Sequence, residues 1–283
     1  MTNQRSQSSL QDLTRVSANH DRGGMPFPNG FRMCFLSSGS PDAESSHAHL
    51  IARYGNVDPG EADVLVVLGG DGFMLETVHK YLHLNIPVFG INRGTVGFLM
   101  NRWTVGDIRQ RIQAAQPEVL YPLKMTVTKK DGTVVEALAF NEVSLLRQER
   151  QAAKLSIRVN GAVRLHRMIC DGLIVSTAAG STAYNLSAYG PIIPIGTPLL
   201  AVTPISAFRP RRWRGALLPD TVDIEIEVHE YEKRPVSVTA DHEEVRDISH
   251  VQIEQHREDA ITMLFDADHN LEERILREQF MPI

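Results

Sequence analysis

Val64 to Leu68, Val-Leu-Val-Val-Leu, is an unbroken run of β-branched residues and Leu that passes directly into Gly69-Gly70-Asp71-Gly72. A strand with no polar position is covered on both faces, which points to a parallel sheet flanked by helices. The glycines permit positive φ and let a ligand approach the main chain without meeting a Cβ. From Phe73 to Leu82 the apolar positions Met74, Leu75, Val78, Tyr81 and Leu82 repeat at helical spacing. The N-terminal N–H groups of that helix face back onto the turn and favour an anion. Asp71 is out of place in such a turn, since it repels a phosphate unless a metal lies between them or unless its task is to take a proton. The plainer reading is a helix-capping aspartate. Neither a G-x-x-x-x-G-K-[ST] nor a G-x-G-x-x-G phosphate loop occurs here.

The same unit recurs on both sides. Phe31 to Leu36 reads as a strand and Ala43 to Tyr54 as a helix. Pro87 to Ile91 reads as a further strand that empties into Asn92-Arg93-Gly94-Thr95-Val96-Gly97-Phe98. Two neighbouring strands ending in glycine-rich turns define a ligand crevice at the carboxyl edge of an open sheet. Val105 to Ala115 reads as a helix, with Pro117 as punctuation.

After Tyr121 the pattern turns to hairpins. Asp131-Gly132 separates Lys124–Lys129 from Thr133–Ala137, and Asn160-Gly161 separates Leu155–Val159 from Ala162–Leu165. Thr221 to His229 alternates strictly, as a strand with one wet face does. Ala260 to Phe265 is another strand, and Asn270 with Glu273 can cap a last helix. The fold class expected is therefore an α/β N-terminal domain with a parallel sheet, followed by a β-rich C-terminal domain. The expected divisions are a mobile tail at 1–29, the α/β domain at 30–119, with 266–283 able to complete it, and the β-rich nucleotide-binding domain at 120–265.

The net charge of −5 leaves no basic excess for a nucleic-acid backbone, and no apolar run approaches the length of a membrane span. Cys34 and Cys170, the only two, lie in apolar strand-like contexts and read as reduced core thiols of a cytoplasmic protein. The eleven histidines form no zinc pattern. Arg209-Pro-Arg-Arg-Trp-Arg214 reads as a solvated or inter-subunit surface.

Two constellations in the second half carry polar chemistry. Asn141 and Glu142 interrupt the apolar run Ala137 to Leu146, and burying them unpaired costs several kcal/mol, so a polar network or a ligand is implied. Asp171-Gly-Leu-Ile-Val-Ser-Thr-Ala-Ala-Gly-Ser-Thr-Ala-Tyr-Asn-Leu-Ser187 is a strand followed by small residues, hydroxyls and a tyrosine able to stack on a planar base.

In this order and spacing, Gly69-Gly-Asp-Gly72, Asn141-Glu142 and the Asp171–Ser187 block resemble the NAD kinase family from about residue 31 onward. Gly-Gly-Asp-Gly alone is shared with lipid kinases and phosphofructokinases; the last block is far more specific. The resemblance implies transfer of the γ-phosphoryl of ATP, or of polyphosphate, to the 2′-hydroxyl of the adenosine ribose of NAD. A divalent metal, Mg²⁺, comes with ATP, and the assembly is a homodimer or homotetramer. It implies Asp71 as proton acceptor and Gly70 and Gly72 as its backbone neighbours at the ribose. Asn141 and Glu142 hold the adenosine end, and Asp171 lies near the nicotinamide end. Ala179, Thr182, Ala183, Tyr184, Asn185, Leu186 and Ser187 wrap the nucleotide. Departures from the family pattern are Phe73 where Thr is frequent, Ala178-Ala179 where Pro-Thr is usual, and Ile169 where some members carry Arg. Two alternatives stay in view: a lipid kinase of the superfamily that shares Gly-Gly-Asp-Gly, and, from the departures at Phe73 and Ala178-Ala179, a non-catalytic dinucleotide sensor.

Overall fold

A computed structural model describes residues 27–28, 30–94, 97–104 and 106–266. The expected tail up to residue 26 and the expected final helix lie outside these residues.

The first sheet has five strands, in the order β1 (Met33–Ser37), β2 (Val64–Gly69), β3 (Val88–Asn92), β17 (Ile261–Phe265) and β4 (Gln116–Leu120). Strands β1, β2, β3 and β17 are parallel and β4 is antiparallel, with Val66 opposite both Phe35 and Phe89. Val64 to Leu68 are at most 1% exposed, as an all-apolar strand requires. Helix α1 (Pro41–Tyr54) begins at Ser40, whose hydroxyl accepts from the Ala43 N–H, with Pro41 in the first turn; Gly55 at φ 75° ends it. Helix α2 (Asp71–Tyr81) follows β2 without a linker, and α3 (Ile108–Ala114) is capped by the Asp107 carboxylate, which accepts from Arg109 N–H.

Two expectations change here. Pro117 does not break the chain; it sits inside edge strand β4, where a missing N–H is tolerated. The chain also returns to the first sheet earlier than expected. The returning element is β17, inside the segment assigned above to the β-rich half, and it inserts between β3 and β4.

The remaining strands build two six-stranded antiparallel sheets. One has the order β12 (Ala216–Pro219), β11 (Leu199–Ile205), β10 (Gly172–Ser176), β7 (Glu142–Arg147), β14 (Val236–Ala240), β15 (Glu243–Val245). The other runs β6 (Val134–Ala139), β5 (Leu123–Lys129), β16 (Ile248–Gln255), β13 (Ile224–Val228), β8 (Ala153–Val159), β9 (Ala162–Cys170). Their inner faces share one apolar core that includes Leu145, Leu173, Ile226 and Val251. The strictly alternating segment 221–229 forms β13 only over Ile224–Val228; Thr221 belongs to the preceding turn, and the Asp223 backbone instead exchanges hydrogen bonds with Asn160 at the neighbouring hairpin.

The two halves meet along one edge of the β12–β15 sheet. Phe140 and Ala179, from the ends of that sheet, pack in a single apolar cluster with Met74, Leu75 and Val78 of α2. That contact brings the start of β7 beside the helix that carries Asp71.

Candidate active site

Helix α2 is capped by Gly70 through its backbone, and no side chain caps it; Asp71 is the first helical residue. The capping reading is thereby replaced. The Asp71 carboxylate instead accepts backbone N–H groups from the loop after β3, Phe98 at 2.6 Å and Leu99 at 3.1 Å. The loop must come close for this, and a Cβ on Gly97 would stand 2.7 Å from an Asp71 oxygen. The glycines of the turn work differently from the expectation. Gly69, Gly70 and Gly72 are absent from the positive-φ positions, and Gly70 has φ −116°. What Gly70 and Gly72 provide is room, since nothing lies within 4 Å of where their Cβ atoms would stand. Phe73, which replaces the more usual hydroxyl, packs its ring against the Gly69 position, 3.0 Å from that Cβ site.

Asn141 and Glu142 sit where β7 begins. Asn141 Oδ1 and Glu142 Oε2 are buried with no hydrogen-bond partner. Burial, and secondarily the negative charge of Asp241, push the Glu142 carboxyl up to about 8. Tyr184 is near enough that Glu142 adds to a rise in its phenol pKa, which burial mainly causes.

Their backbone is gripped from both sides. Asp241, at φ 51° in the turn after β14, accepts the N–H groups of Phe140 at 2.7 Å, Asn141 at 2.9 Å and Glu142 at 3.3 Å. The Thr177 hydroxyl donates to the Phe140 carbonyl at 2.6 Å, and the Thr177 N–H donates to the Asn141 carbonyl at 2.9 Å. Gly180 closes against the same peptide, and a Cβ there would stand 2.1 Å from the Asn141 carbonyl oxygen. His79 of α2 places Nε2 2.7 Å from Asp241 Oδ2. Asp241, His79 and Thr177 were not singled out in the sequence. The one available signal was an Asp-His pair following the alternating run Val236 to Ala240.

The Thr182–Ser187 loop is a 3₁₀ turn, Ala179–Thr182, joined to a single helical turn α4 (Tyr184–Ser187). Asn185, fully buried, is its brace: Nδ2 donates to the carbonyls of Ser181 and Pro191, and Oδ1 accepts from the Thr203 hydroxyl at 2.7 Å. Thr182, Ala183, Tyr184 and Leu186 are half-buried and Ser187 is exposed, while Ala179 belongs to the apolar cluster between the halves. Asp171 is not brought to this group. Ser176 pairs with Glu142 at one end of β10, and Asp171 precedes the other end, roughly 17 Å away at the usual rise of a strand. There it receives Arg147 Nε at 2.5 Å.

An α/β half and a β-rich half meet at the helix that carries Asp71, with two unpaired polar atoms at the start of β7 beside that helix, an arrangement suited to handling a nucleotide in phosphoryl transfer. Two family models cover the chain: the ATP-NAD kinase N-terminal domain matches residues 14–115 and the ATP-NAD kinase C-terminal domain matches residues 140–271. The chain is 53% identical over 255 residues to the NAD kinase of Caulobacter vibrioides, covering 90% of this chain and 98% of that one. It is 51% identical to the NAD kinase of Rhizobium meliloti, covering 88% and 96%. Two solved structures share the fold. One is a yeast NADH kinase complexed with NADH, with a TM-score of 0.74 at 20% identity over 89% of this chain and 88% of that one. The other is an NAD kinase from Archaeoglobus fulgidus in complex with ATP, with a TM-score of 0.70 at 23% identity over 87% and 97%. The chain belongs to the NAD kinase family.

Proposed function

We propose that this protein transfers the γ-phosphoryl of ATP to the 2′-hydroxyl of the adenosine ribose of NAD, yielding NADP and ADP. The observation that carries the assignment of the site is the pair of partnerless buried atoms, Asn141 Oδ1 and Glu142 Oε2. Orphaned polar atoms cost about 1 to 3 kcal/mol each, and a ribose hydroxyl or adenine amine bound there removes the cost. Asp71 takes the proton of the 2′-hydroxyl as the oxygen–phosphorus bond forms, and ADP leaves with the electrons of the broken bond. The open positions at Gly70 and Gly72 let the sugar reach it. The side chain of Tyr184 lies against a flat ring of the dinucleotide, and the loop through Leu186 and Ser187 covers it.

Among the described residues no group of three or more His, Cys, Asp or Glu side chains could hold a metal ion. Mg²⁺ enters this reading with ATP, as a hard ion carried by the nucleotide phosphates and held by few carboxylates and waters. A place for Asp171 near the nicotinamide rests on the family resemblance alone, since fully buried β10 separates it from Glu142. Exposed Tyr189, Phe208 and Leu217 supply apolar surface for the proposed homo-oligomer. A cytoplasmic location accords with two free, buried cysteines, whose thiols burial pushes up to about 11 and about 12.

The test is purified protein with ATP, Mg²⁺ and NAD, with NADP read by a coupled NADP-specific dehydrogenase. Folded protein that binds NAD and forms no NADP refutes the assignment in favour of a sensor.

A further inference from the structure

We propose that His79 and Asp241 form a latch that sets the nucleoside-binding pair Asn141-Glu142 against Asp71, making both of them positioning residues for phosphoryl transfer. The inference deepens the functional reading above and rests on it.

Asp241 is 3% exposed at its side chain, and its two oxygens collect three consecutive N–H groups at the start of β7. Phe140 and Asn141 precede the first residue of that strand, so the carboxylate takes the place of a ladder neighbour there. The Asp241 N–H in turn donates to the Glu142 carbonyl at 3.1 Å. With Thr177 holding the carbonyls of Phe140 and Asn141, little backbone freedom remains at the pair, and the aim of their side chains is fixed by Asp241.

His79 connects this cradle to the other half of the molecule. It lies eight residues after Asp71 on the same helix, about 12 Å along its axis. Its ring is held edge-on by Phe140 at 5.4 Å and His242 at 4.9 Å, so Nε2 is directed at Asp241 by packing as well as by the hydrogen bond. Helix α2 thus carries Asp71 at one end and, two turns on, the contact that fixes where Asn141 and Glu142 stand. Asp241 without His79 still has its three N–H donors, so removal of the imidazole uncouples the helix and leaves the cradle folded.

The experiment compares wild type with His79→Leu, His79→Gln, Asp241→Asn and the His79→Leu/Asp241→Asn double variant. It measures NAD affinity by titration calorimetry, kcat and KM for NAD and for ATP, and the unfolding temperature. A small misplacement of reacting groups costs about 10- to 100-fold. His79→Leu is expected to lose kcat/KM for NAD by such a factor at a temperature where it is fully folded. His79→Gln, which retains a donating N–H at similar reach, recovers most of it. The His79→Leu/Asp241→Asn double variant is no worse than Asp241→Asn, since both break the same link. A structural role alone lowers the unfolding temperature and leaves KM and kcat of the folded variants unchanged, and that result overturns the latch. Wild type that binds NAD without turnover refutes the kinase reading, and the latch is then still decided by the NAD affinities. Wild type that binds no NAD overturns both.

Discussion

Raising the pH should weaken this protein through one carboxyl group. Glu142 has a folded-state pKa near 8, raised from 4.5 by burial and by Asp241 beside it, with Oε2 partnerless. Between those two values the unfolded chain has released a proton that the folded chain retains. The folded state binds more protons, so its stability falls as pH rises through the window and levels off above about 8. At 1.36 kcal/mol per pH unit, the fall between pH 6 and pH 8 is about 2 to 3 kcal/mol, less whatever water entering the site restores. The assay is urea unfolding at pH 6, 7, 8 and 9 on wild type and on Glu142→Gln. The glutamine stays neutral throughout, so the difference between the two curves isolates Glu142 from every other titrating group. Wild type should lose about 2 kcal/mol or more against the variant by pH 8. Parallel curves across the range would refute a buried, protonated Glu142. The same proton reports on ligand binding. Ribose hydroxyls donate more strongly to an ionised Glu142 than to a neutral one, so NAD binding at pH 7 should release a fraction of a proton. Calorimetry in buffers of different ionisation enthalpy reads that number. Glu142→Gln should then raise KM for NAD more than it lowers kcat, by the about 1.5 to 3 kcal/mol of a charge-assisted bond. An absence of proton release together with an unchanged KM removes Glu142 from the pocket.

Asp71→Asn should cut turnover by about 10²- to 10⁴-fold with NAD still bound. It should also destabilise the fold by about 1 to 3 kcal/mol, since an amide presents an N–H to one of the N–H groups of Phe98 and Leu99; wild-type-like kcat in folded protein contradicts the role of Asp71. Tyr184→Ala should cost on the order of 1 kcal/mol in NAD affinity and Tyr184→Phe almost nothing, as titration calorimetry will show. Gly180→Ala pushes a methyl into the Asn141 carbonyl, and thermal unfolding should register a loss of about 1 to 3 kcal/mol, with a raised KM for NAD.

Much of the scaffold was legible because local period and local turn chemistry decide it. The all-apolar Val64–Leu68 and the Asp131-Gly132 and Asn160-Gly161 hairpins form where their patterns put them, and the helix read over Phe73 to Leu82 forms two residues earlier at its start, from Asp71 to Tyr81. What escaped is non-local. Ile261–Phe265 reads as a strand in any context, and only the three-dimensional arrangement pairs it with β3 and β4. Pro117 signals a break by itself, yet an edge strand has one side that asks for no N–H. Asp241 looks like any turn aspartate. Its importance lies in three N–H groups a hundred residues away in the chain, which no local pattern displays.

Two asparagines show how residues that read alike in sequence divide once their partners are known. Asn185, fully buried, and Asn141, half-buried with its Oδ1 out of solvent, both stand in sequence contexts that invite a ligand. Both polar atoms of the Asn185 amide are satisfied by protein, Nδ2 by the Ser181 and Pro191 carbonyls and Oδ1 by the Thr203 hydroxyl of β11, and Gly190 leaves it room, since a Cβ there would stand 2.1 Å from its oxygen. The Asn141 oxygen is left without a partner, on a backbone that Asp241 and Thr177 pin in place. A protein gains stability by satisfying the first and loses it by leaving the second unsatisfied. The same contrast separates Asp241, with its oxygens saturated, from Glu142 next to it, whose Oε2 is orphaned and whose proton is retained. Satisfied groups build the cradle, and the unsatisfied pair within it is what a dinucleotide bound at the proposed site would satisfy.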